Sequence, residues 1–491
     1  MTQLSTTVPA DSSSLPQEAQ LSPTASWGEL LSGRNAWRAV AVTGGVALHA
    51  INVHIVTTVL PSVVQDIGGV AWYAWNTTLF VVASILGATL SARLLQGLGP
   101  RRGYLAALAL FVFGSMVCAL APSMAWMLAG RTVQGLGGGV LAAFSYALIR
   151  YMFDPRLWPR AVALVSGMWG VATLCGPAVG GVFAQLGHWR WAFWALLPVA
   201  LVQALIVYAQ MPAHAGDSDD AGKAPPAALP LTQIVLLITS ALCIAMASLF
   251  STPLAQVAVV VVGLALGWAV ARVDRHASVR LLPTGAYALF TPLGAIYASV
   301  ALLLIGTTTE IFVPYFLQHL HGFSPLAAGY LTAAMAGGWS AASLLSSGRT
   351  GAGAERMLRL GPVVGTLSLA VLALLMPVAR MEPVLQTICM GLALAGAGFG
   401  VGAGWPHLLT RVLSLAKPGE ENLASTSITT VQLYGMAVGA AVAGLVANAA
   451  GLTQPGGNAG AQSAAVWLFA SFAVAPALAA LLARRIVGKR G

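Results

Sequence analysis

Long uncharged stretches separated by short charged segments run through most of the chain. A transmembrane helix needs about 20 consecutive apolar residues. Ten stretches with at most one internal charge reach that length: Arg38 to Asp66, Asp66 to Arg93, Arg102 to Arg150, Arg160 to Arg190, Arg190 to Asp217, Lys223 to Arg272, Arg280 to Arg349, Arg359 to Arg380, Glu382 to Arg411 and Glu421 to Arg484. Those that begin at 102, 223, 280 and 421 are long enough for two helices, so the pattern predicts fourteen transmembrane helices.

The basic residues are distributed unevenly between the two sets of loops that this pattern defines. Of the 24 Lys and Arg residues, 21 lie in loops and tails on the side of the termini, and Arg131 lies within a span. Only Arg190 and Arg380 lie on the other side. Because cytoplasmic loops carry the excess of Lys and Arg, both termini are predicted to be cytoplasmic. The net charge of +10 then follows from topology, and no nucleic-acid partner is predicted.

Composition and cysteine content exclude several classes of protein. Hydrophobic residues make up 58% of the chain and charged residues only 8%, whereas a soluble domain has about 25% charged residues. This composition excludes a soluble enzyme and a soluble nucleic-acid-binding domain. The four cysteines are far apart in apolar runs, so the sequence predicts no disulfide framework, no metal site and no cofactor.

Composition also divides the chain into segments. Residues 1–35 are rich in Ser, Thr, Pro and Gln and lack the pattern of a signal peptide, which predicts a disordered cytoplasmic tail. The predicted fold is an all-α integral membrane protein with two six-helix bundles and two inserted central helices. The predicted segments are a tail at 1–35, an N-terminal bundle at 36–212, a cytoplasmic linker at 213–230, the inserted pair at 231–272, a C-terminal bundle at 285–484 and a tail at 485–491.

An arginine interrupts the fourth predicted span. Arg131 and Gln134 in GRTVQGLGGG (130–139) are three residues apart and share one helix face. A charge within a membrane is costly and usually faces an interior cavity, which makes both side chains candidates for binding a substrate. The alternative is that Arg131 braces backbone carbonyl groups of neighbouring helices.

Glycine-rich stretches predict turns and close helix contacts. Gly99 in the basic segment 91–103 permits a tight turn, and Arg101 and Arg102 beside it can bond helix-end carbonyl groups. Gly135 in the fourth span allows close helix contact. The fifth span contains GPAVGG, in which the proline bends the helix and the small residues form a contact face. The residues of interest in that stretch are Gly176, Pro177, Gly180 and Gly181.

Taken in order, these stretches resemble the major facilitator superfamily, and more narrowly its fourteen-helix drug:proton antiporter branch. The resemblance covers nearly the whole chain after residue 38. It rests on the segment 91–103, the span-four motif with Arg131, Gln134 and Gly135, the span-five GPAVGG, HWRWAFWALLP at 188–198 and FLQHLHGFSPLAAGYL at 316–331. The resemblance implies two halves that rock against each other and export small molecules against proton influx.

Two positions depart from the pattern of that branch. Gln96 stands where the loop signature has an acidic residue. Asn52, in NVHIVTTVLP (52–61), stands where the first-span pattern has an aspartate. The missing first-span carboxylate argues against export of multidrug cations and leaves proton transfer to other groups.

Glu310 is the one acidic residue inside a predicted span, near the outer part of span nine. Intramembrane carboxylates often relay protons in transporters, so Glu310 is predicted to couple transport to proton influx, with a cation such as Arg131 as its partner. The alternative is that Glu310 reaches water or pairs with a histidine. His319 and His321 follow it and are expected in a loop.

The first span adds His49 and His54 as candidates for proton transfer. At 100° per residue, His49 can share a face with Asn52, whereas His54 points elsewhere. Asn52 and Asn76 are predicted to line the cavity. Trp72, Trp189 and Trp191 are predicted at the membrane interface, where amphipathic rings are favoured.

The leading interpretation is a secondary transporter that exports small, mostly hydrophobic molecules against proton influx by alternating access. Its partners are the substrate, protons and the lipid bilayer, and it is expected to act as a monomer in a bacterial inner membrane. The sequence lacks the G-x-x-x-x-G-K-[ST] motif of ATP binding. One alternative is a transporter of an organic anion or metabolite, because Arg131 without a first-span aspartate leaves a positive site. The other is an integral-membrane enzyme, although the predicted outer loops are short and carry few acids.

Overall fold

The fold is described from a computed structural model, which covers residues 26–212, 228–378 and 381–486. These residues form α-helices and short 3₁₀ turns, with no strand among them. The α-helices are α1 (Trp27–Leu30), α2 (Gly33–Ile67), α3 (Trp75–Ala119), α4 (Met124–Ala147), α5 (Ile149–Met152), α6 (Trp158–Gln185), α7 (Arg190–Trp194), α8 (Leu196–Gln210), α9 (Leu231–Met246), α10 (Pro253–His276), α11 (Pro292–Thr307), α12 (Val313–His321), α13 (Pro325–Ser347), α14 (Gly351–Leu375), α15 (Pro383–Gly402), α16 (Trp405–Leu415), α17 (Glu421–Ala449), α18 (Gly457–Phe472) and α19 (Val474–Ile486). The 3₁₀ turns are Val70–Trp72, Pro155–Leu157, Ala247–Leu249 and Thr308–Ile311.

The prediction of an all-helical membrane protein is confirmed. Within the described ranges, 11 helical segments are long and apolar enough to cross a membrane. Large apolar side chains remain exposed along them, as expected where lipid rather than water covers the surface.

The predicted loop at 91–103 is a sharp bend inside α3. Gly99 has φ 73° and ψ 173°, and a positive φ favours glycine because it lacks a Cβ atom. Pro100 follows, and its fixed φ and missing N–H suit the first turn of a helix. α3 is therefore two helices that meet at Gly99.

The helices form two groups with a further pair beside them. In the N-terminal group, α2 contacts α4, α6 and α8, and α3 contacts α4 and α8. In the C-terminal group, α11 contacts α15, α17 and α19, and α15 contacts α13 and α14. The pair α9 and α10 is joined along its length, and α9 also contacts α3 and α17. The pair thus lies against both groups.

The two groups meet on one side of the bundle. We call the side that carries α1 and the end of α19 the terminal side, and the other the opposite side. On the opposite side, the ring of Tyr73 stacks on that of Phe312 with centroids 4.9 Å apart. There too, the Asn448 amide donates a hydrogen bond to the backbone carbonyl of Ala71 at 3.0 Å. These contacts close the opposite side of the bundle.

Several predicted boundaries change. α1 and the start of α2 lie within residues 26–35, which were predicted as tail. α12 extends to His321, so His319 and His321 lie in a helix and the loop prediction is wrong for both. Other predicted features lie outside the described residues: 1–25 of the N-terminal tail, 213–227 of the linker, Arg380, and 487–491 of the C-terminal tail.

The tryptophans divide between the surface and the interior. Trp72 is 37% exposed and Trp191 is 58% exposed. Trp189 is only 3% exposed, and the interfacial position of the three rings stays a prediction. The indole N–H of Trp189 donates to the carboxylate of Asp66 at 3.1 Å, which holds the ring against the end of α2.

Candidate functional site

A buried polar network joins the two parts of α3 to α4. Arg131 is 2% exposed. Its guanidinium donates to the Gln134 side-chain oxygen and to the backbone carbonyl of Asn76, the latter at 3.3 Å. It also lies 4.0 Å from the ring centroid of Phe80, within the range of a cation–π contact. The Gln134 amide in turn donates to the Ser115 hydroxyl at 2.7 Å.

This network is complete within the N-terminal group. No carboxylate of the described residues forms an ion pair with Arg131. Arg131 therefore braces a backbone carbonyl group of a neighbouring helix, which was one of the two interpretations of this residue. A substrate-binding role for Arg131 and Gln134 stays a prediction. Ser115 was not singled out from the sequence, because a serine in an apolar run gives no signal there.

Polar side chains without partners lie beside this network. Asn52 is fully buried, and neither atom of its side-chain amide has a hydrogen-bond partner within the described chain. The same holds for Nδ1 of His49 and the side-chain oxygen of Asn76. The His49 ring stacks on Phe80 at 5.2 Å between centroids. Leaving such groups unpaired costs about 1–3 kcal/mol each, so they are suited to accept or donate hydrogen bonds to a substrate or to water.

His54 faces the other group of helices. Its Nδ1 lies 3.8 Å from Oε1 of Glu310, which is beyond hydrogen-bonding distance but within reach of an ion pair when the imidazole is protonated. Glu310 lies in the 3₁₀ turn Thr308–Ile311 between α11 and α12. The two side chains keep 11% and 24% of their surface exposed. Arg131 was predicted as the partner of Glu310. That prediction is wrong for this structure, because the side chain that pairs with Glu310 is His54.

A family model described as the Major Facilitator Superfamily matches residues 42–440. The chain belongs to the major facilitator superfamily.

The relatives of this superfamily member include proteins with names that refer to multidrug efflux or resistance. It is 39% identical over 465 residues to a protein of Mycobacterium tuberculosis described as a probable multidrug-efflux transporter, with 93% of this chain and 96% of that protein covered. It is 23% identical over 417 residues to Multidrug resistance protein 3 of Bacillus subtilis, with coverages of 82% and 77%. A solved D-xylose-proton symporter has a TM-score of 0.63 at 13% identity, over 93% of this chain and 99% of that one. That likeness shows the same fold.

In this superfamily member, the GPAVGG stretch lies where α2, α6 and α13 meet. A Cβ atom added at Gly180 would lie 2.9 Å from the backbone oxygen of Ile55 on α2. One added at Gly181 would lie 2.6 Å from Cα of Leu326 on α13. At Gly176 it would collide with Cβ of His54. These small residues thus let α6 pack closely against α2 and against α13, next to the His54–Glu310 pair.

The other motif residues lie apart from this contact. A Cβ atom at Gly135 would collide with the backbone of Phe80, so this glycine allows α4 to approach α3. Arg101 donates to the backbone carbonyl of Met211 at 2.8 Å, which joins the bend in α3 to the end of α8. Arg102 is exposed on the terminal side.

Proposed function

We propose that this protein exports small, mostly hydrophobic molecules in exchange for protons, by alternating access. The observation that carries the proposal is the pairing of Glu310 with His54 where the two groups of helices meet. The relative described as a probable multidrug-efflux transporter supports export as the direction. That relative and Multidrug resistance protein 3 support drug-like compounds as the substrate class. The relative described as a probable transporter supports a transport function, and no enzymatic step is part of the proposal.

Proton coupling follows from the chemistry of the pair. A charged Glu310 attracts a protonated His54 and holds α2 against the C-terminal group. When the two groups are apart on the opposite side, Glu310 has lost this partner and accepts a proton from that side. When the groups close there, His54 again favours the charged form of Glu310, and the proton leaves to the terminal side. Each cycle thus moves one proton inward while the cavity changes sides.

We also propose fourteen spans arranged as six, two and six. The bend at Gly99 divides one of the 11 long segments into two spans. α4 and α13, with 24 and 23 residues, are each long enough to cross as well. An even number of spans places both termini on one side, and the basic loops assign that side to the cytoplasm. The proposed location is the inner membrane of a bacterium, and the proposed active unit is a monomer.

The topology can be tested with fused reporters. A reporter placed after Gly491, or in the linker near Ala215, should report cytoplasm. A reporter near Gly456, in the turn between α17 and α18, should report the outside. Activity of the linker fusion on the outer side would contradict the arrangement of six, two and six spans.

Transport of an organic anion or metabolite is the second candidate function. The observation that favours it is the buried guanidinium of Arg131, which no carboxylate of the described chain neutralises. A negative substrate that entered the N-terminal group would be attracted to it.

Arg131→Gln distinguishes the two candidates. Hydrogen bonds to a charged group contribute about 1.5–3 kcal/mol, so an anion exporter should lose at least about tenfold more transport of an anionic than of a neutral compound. Under the leading proposal both compounds should fall by the same factor, because the variant only weakens the bracing network. Arg131→Lys, which keeps the charge, is the control. Both rates are measured in liposomes from one protein preparation.

A further inference from the structure

The inserted helices α9 and α10 have a surface that has no role in the proposed transport mechanism. α10 buries few of its residues, namely Gly263, Val270 and Asp274. Its outward side chains include Leu254 at 82% and Trp268 at 61% exposure. This apolar surface faces lipid along the length of α10.

A cleft of about 600 Å³ opens at the terminal end of this pair. Its walls come from the start of α9 and the end of α10, and its polar lining includes Thr232, Arg272, His276 and Ser278. Among the described residues, no side chain caps the first turn of α9, where backbone N–H groups have no partner inside the helix. The cleft therefore collects hydrogen-bond donors from both helices.

The charge in the cleft is positive. The guanidinium of Arg272 lies 4.6 Å from the ring centroid of Trp268. Within the described ranges it forms no ion pair with a carboxylate. This leaves Arg272 with a charge that nothing in the described chain neutralises.

Asp274 is the acidic residue nearest to Arg272 in the sequence, but its carboxylate binds other groups. It is fully buried, and its oxygens accept hydrogen bonds from the backbone N–H of Leu281 at 2.7 Å and of Leu282 at 3.1 Å. The Tyr287 hydroxyl donates to it at 2.9 Å, and the Gln233 amide approaches it at 3.4 Å. Asp274 thus folds residues 281–287 against the pair, while the basic side chains beside it stay at the surface.

We infer that this cleft binds the phosphate group of an anionic phospholipid. An arginine can bind a phosphate through two parallel hydrogen bonds, and the hydroxyl groups of Thr232 and Ser278 can donate to the remaining oxygens. Basic pockets between membrane helices are suited to acidic lipid headgroups.

The apolar rim of the cleft favours a lipid over free phosphate. Leu231 is 46% exposed, Val235 is 59% exposed and Val273 is 37% exposed, and all three lie at or next to the polar lining. Acyl chains that leave the headgroup can run along these side chains and down α10. A free phosphate ion would gain nothing from that surface. The bound lipid would tie the inserted pair to one leaflet of the membrane.

Native mass spectrometry of the purified full-length protein tests this inference. The probes are phosphatidylglycerol and phosphatidylcholine with identical acyl chains, added at equal concentration. A basic side chain near an anionic headgroup contributes about fivefold in affinity, so wild type should retain phosphatidylglycerol at least about fivefold better than phosphatidylcholine. The double variant Arg272→Gln/His276→Gln should remove that preference. Arg272→Lys should keep most of it, because the charge remains.

Arg359→Gln is the matched control, since Arg359 is an exposed basic residue on the terminal side outside the cleft. It should retain the preference of wild type. Inorganic phosphate at millimolar concentration should leave the lipid bound, and displacement of the lipid by phosphate would assign the cleft to a free anion. Equal retention of phosphatidylglycerol by wild type and by the double variant would overturn the inference. All the substituted side chains are exposed, so loss of folding is not expected to obscure the result.

Discussion

Glu310→Gln should abolish uphill transport and leave downhill exchange intact. Glutamine has nearly the same shape as glutamate but carries no ionisable proton, so the contact with His54 can no longer form and break with proton binding. In liposomes, a gradient of one pH unit supplies about 1.4 kcal/mol per proton, which sustains about tenfold accumulation of a substrate exchanged one for one. The variant should give a ratio of about one while it still exchanges labelled for unlabelled substrate at a rate close to that of wild type.

Two further variants separate the role of the charge from that of the position. Glu310→Asp keeps the acid and shortens its reach, so part of the accumulation should remain. Glu382→Gln changes an exposed carboxylate on the opposite side, which only caps α15 by accepting from the N–H of Leu385 at 2.9 Å. It should accumulate substrate like wild type.

Variants of His54 and His49 test whether a histidine takes part in proton transfer. His54→Gln removes the partner of Glu310 and should weaken accumulation without removing proton binding by the acid. His49→Gln should leave coupling unchanged, because His49 stacks on Phe80 inside the N-terminal group. If Glu310→Gln still concentrates substrate against its gradient, Glu310 is not the coupling group. The proton path would then run through a histidine such as His49.

Features set by local sequence were predicted well. The spacing of three residues put Arg131 and Gln134 on one helix face, and their side chains are hydrogen-bonded. A turn was predicted at Gly99, and Gly99 has a positive φ there. Both depend only on helix geometry and on the backbone freedom of glycine. The charge-free stretches predicted membrane helices for a different local reason: each helix satisfies the hydrogen bonds of its own backbone in lipid.

The contacts between distant segments were not predicted. Helix periodicity placed His54 away from Asn52, but it could not identify the helix that His54 faces. The partner of His54 depends on how α2 packs against the C-terminal group. This packing depends in turn on α6, which contacts α2 closely at Gly176 and its neighbours. Asp274 was not singled out from the sequence. Its burial results from the fold of residues 281–287, which carry no periodic pattern.

Gly180→Leu should reduce transport at least about tenfold while the protein remains in the membrane. A Cβ atom at this position would lie 2.9 Å from the Ile55 carbonyl oxygen and 3.3 Å from Cβ of Thr58. Both neighbours belong to α2, so no flexible side-chain end is available to move aside. Overpacking of a close contact typically costs about 1–3 kcal/mol, and here α6 would have to move away from α2. Because His54 lies on the same stretch of α2, that movement would also separate His54 from Glu310.

Gly170→Leu on the same helix is the matched control. A Cβ atom at Gly170 would meet nothing within 4 Å, and Leu174 one turn later is already 64% exposed. The control should insert and transport like wild type. Membrane content is measured by immunoblot and transport in liposomes at equal protein. Wild-type transport by a well-expressed Gly180→Leu protein would mean that the close approach of α6 to α2 is not required. If Gly180→Leu is instead absent from the membrane, Gly180→Ala provides the graded version: it adds only the Cβ atom and should lose less transport than leucine, because a smaller displacement of α6 relieves it.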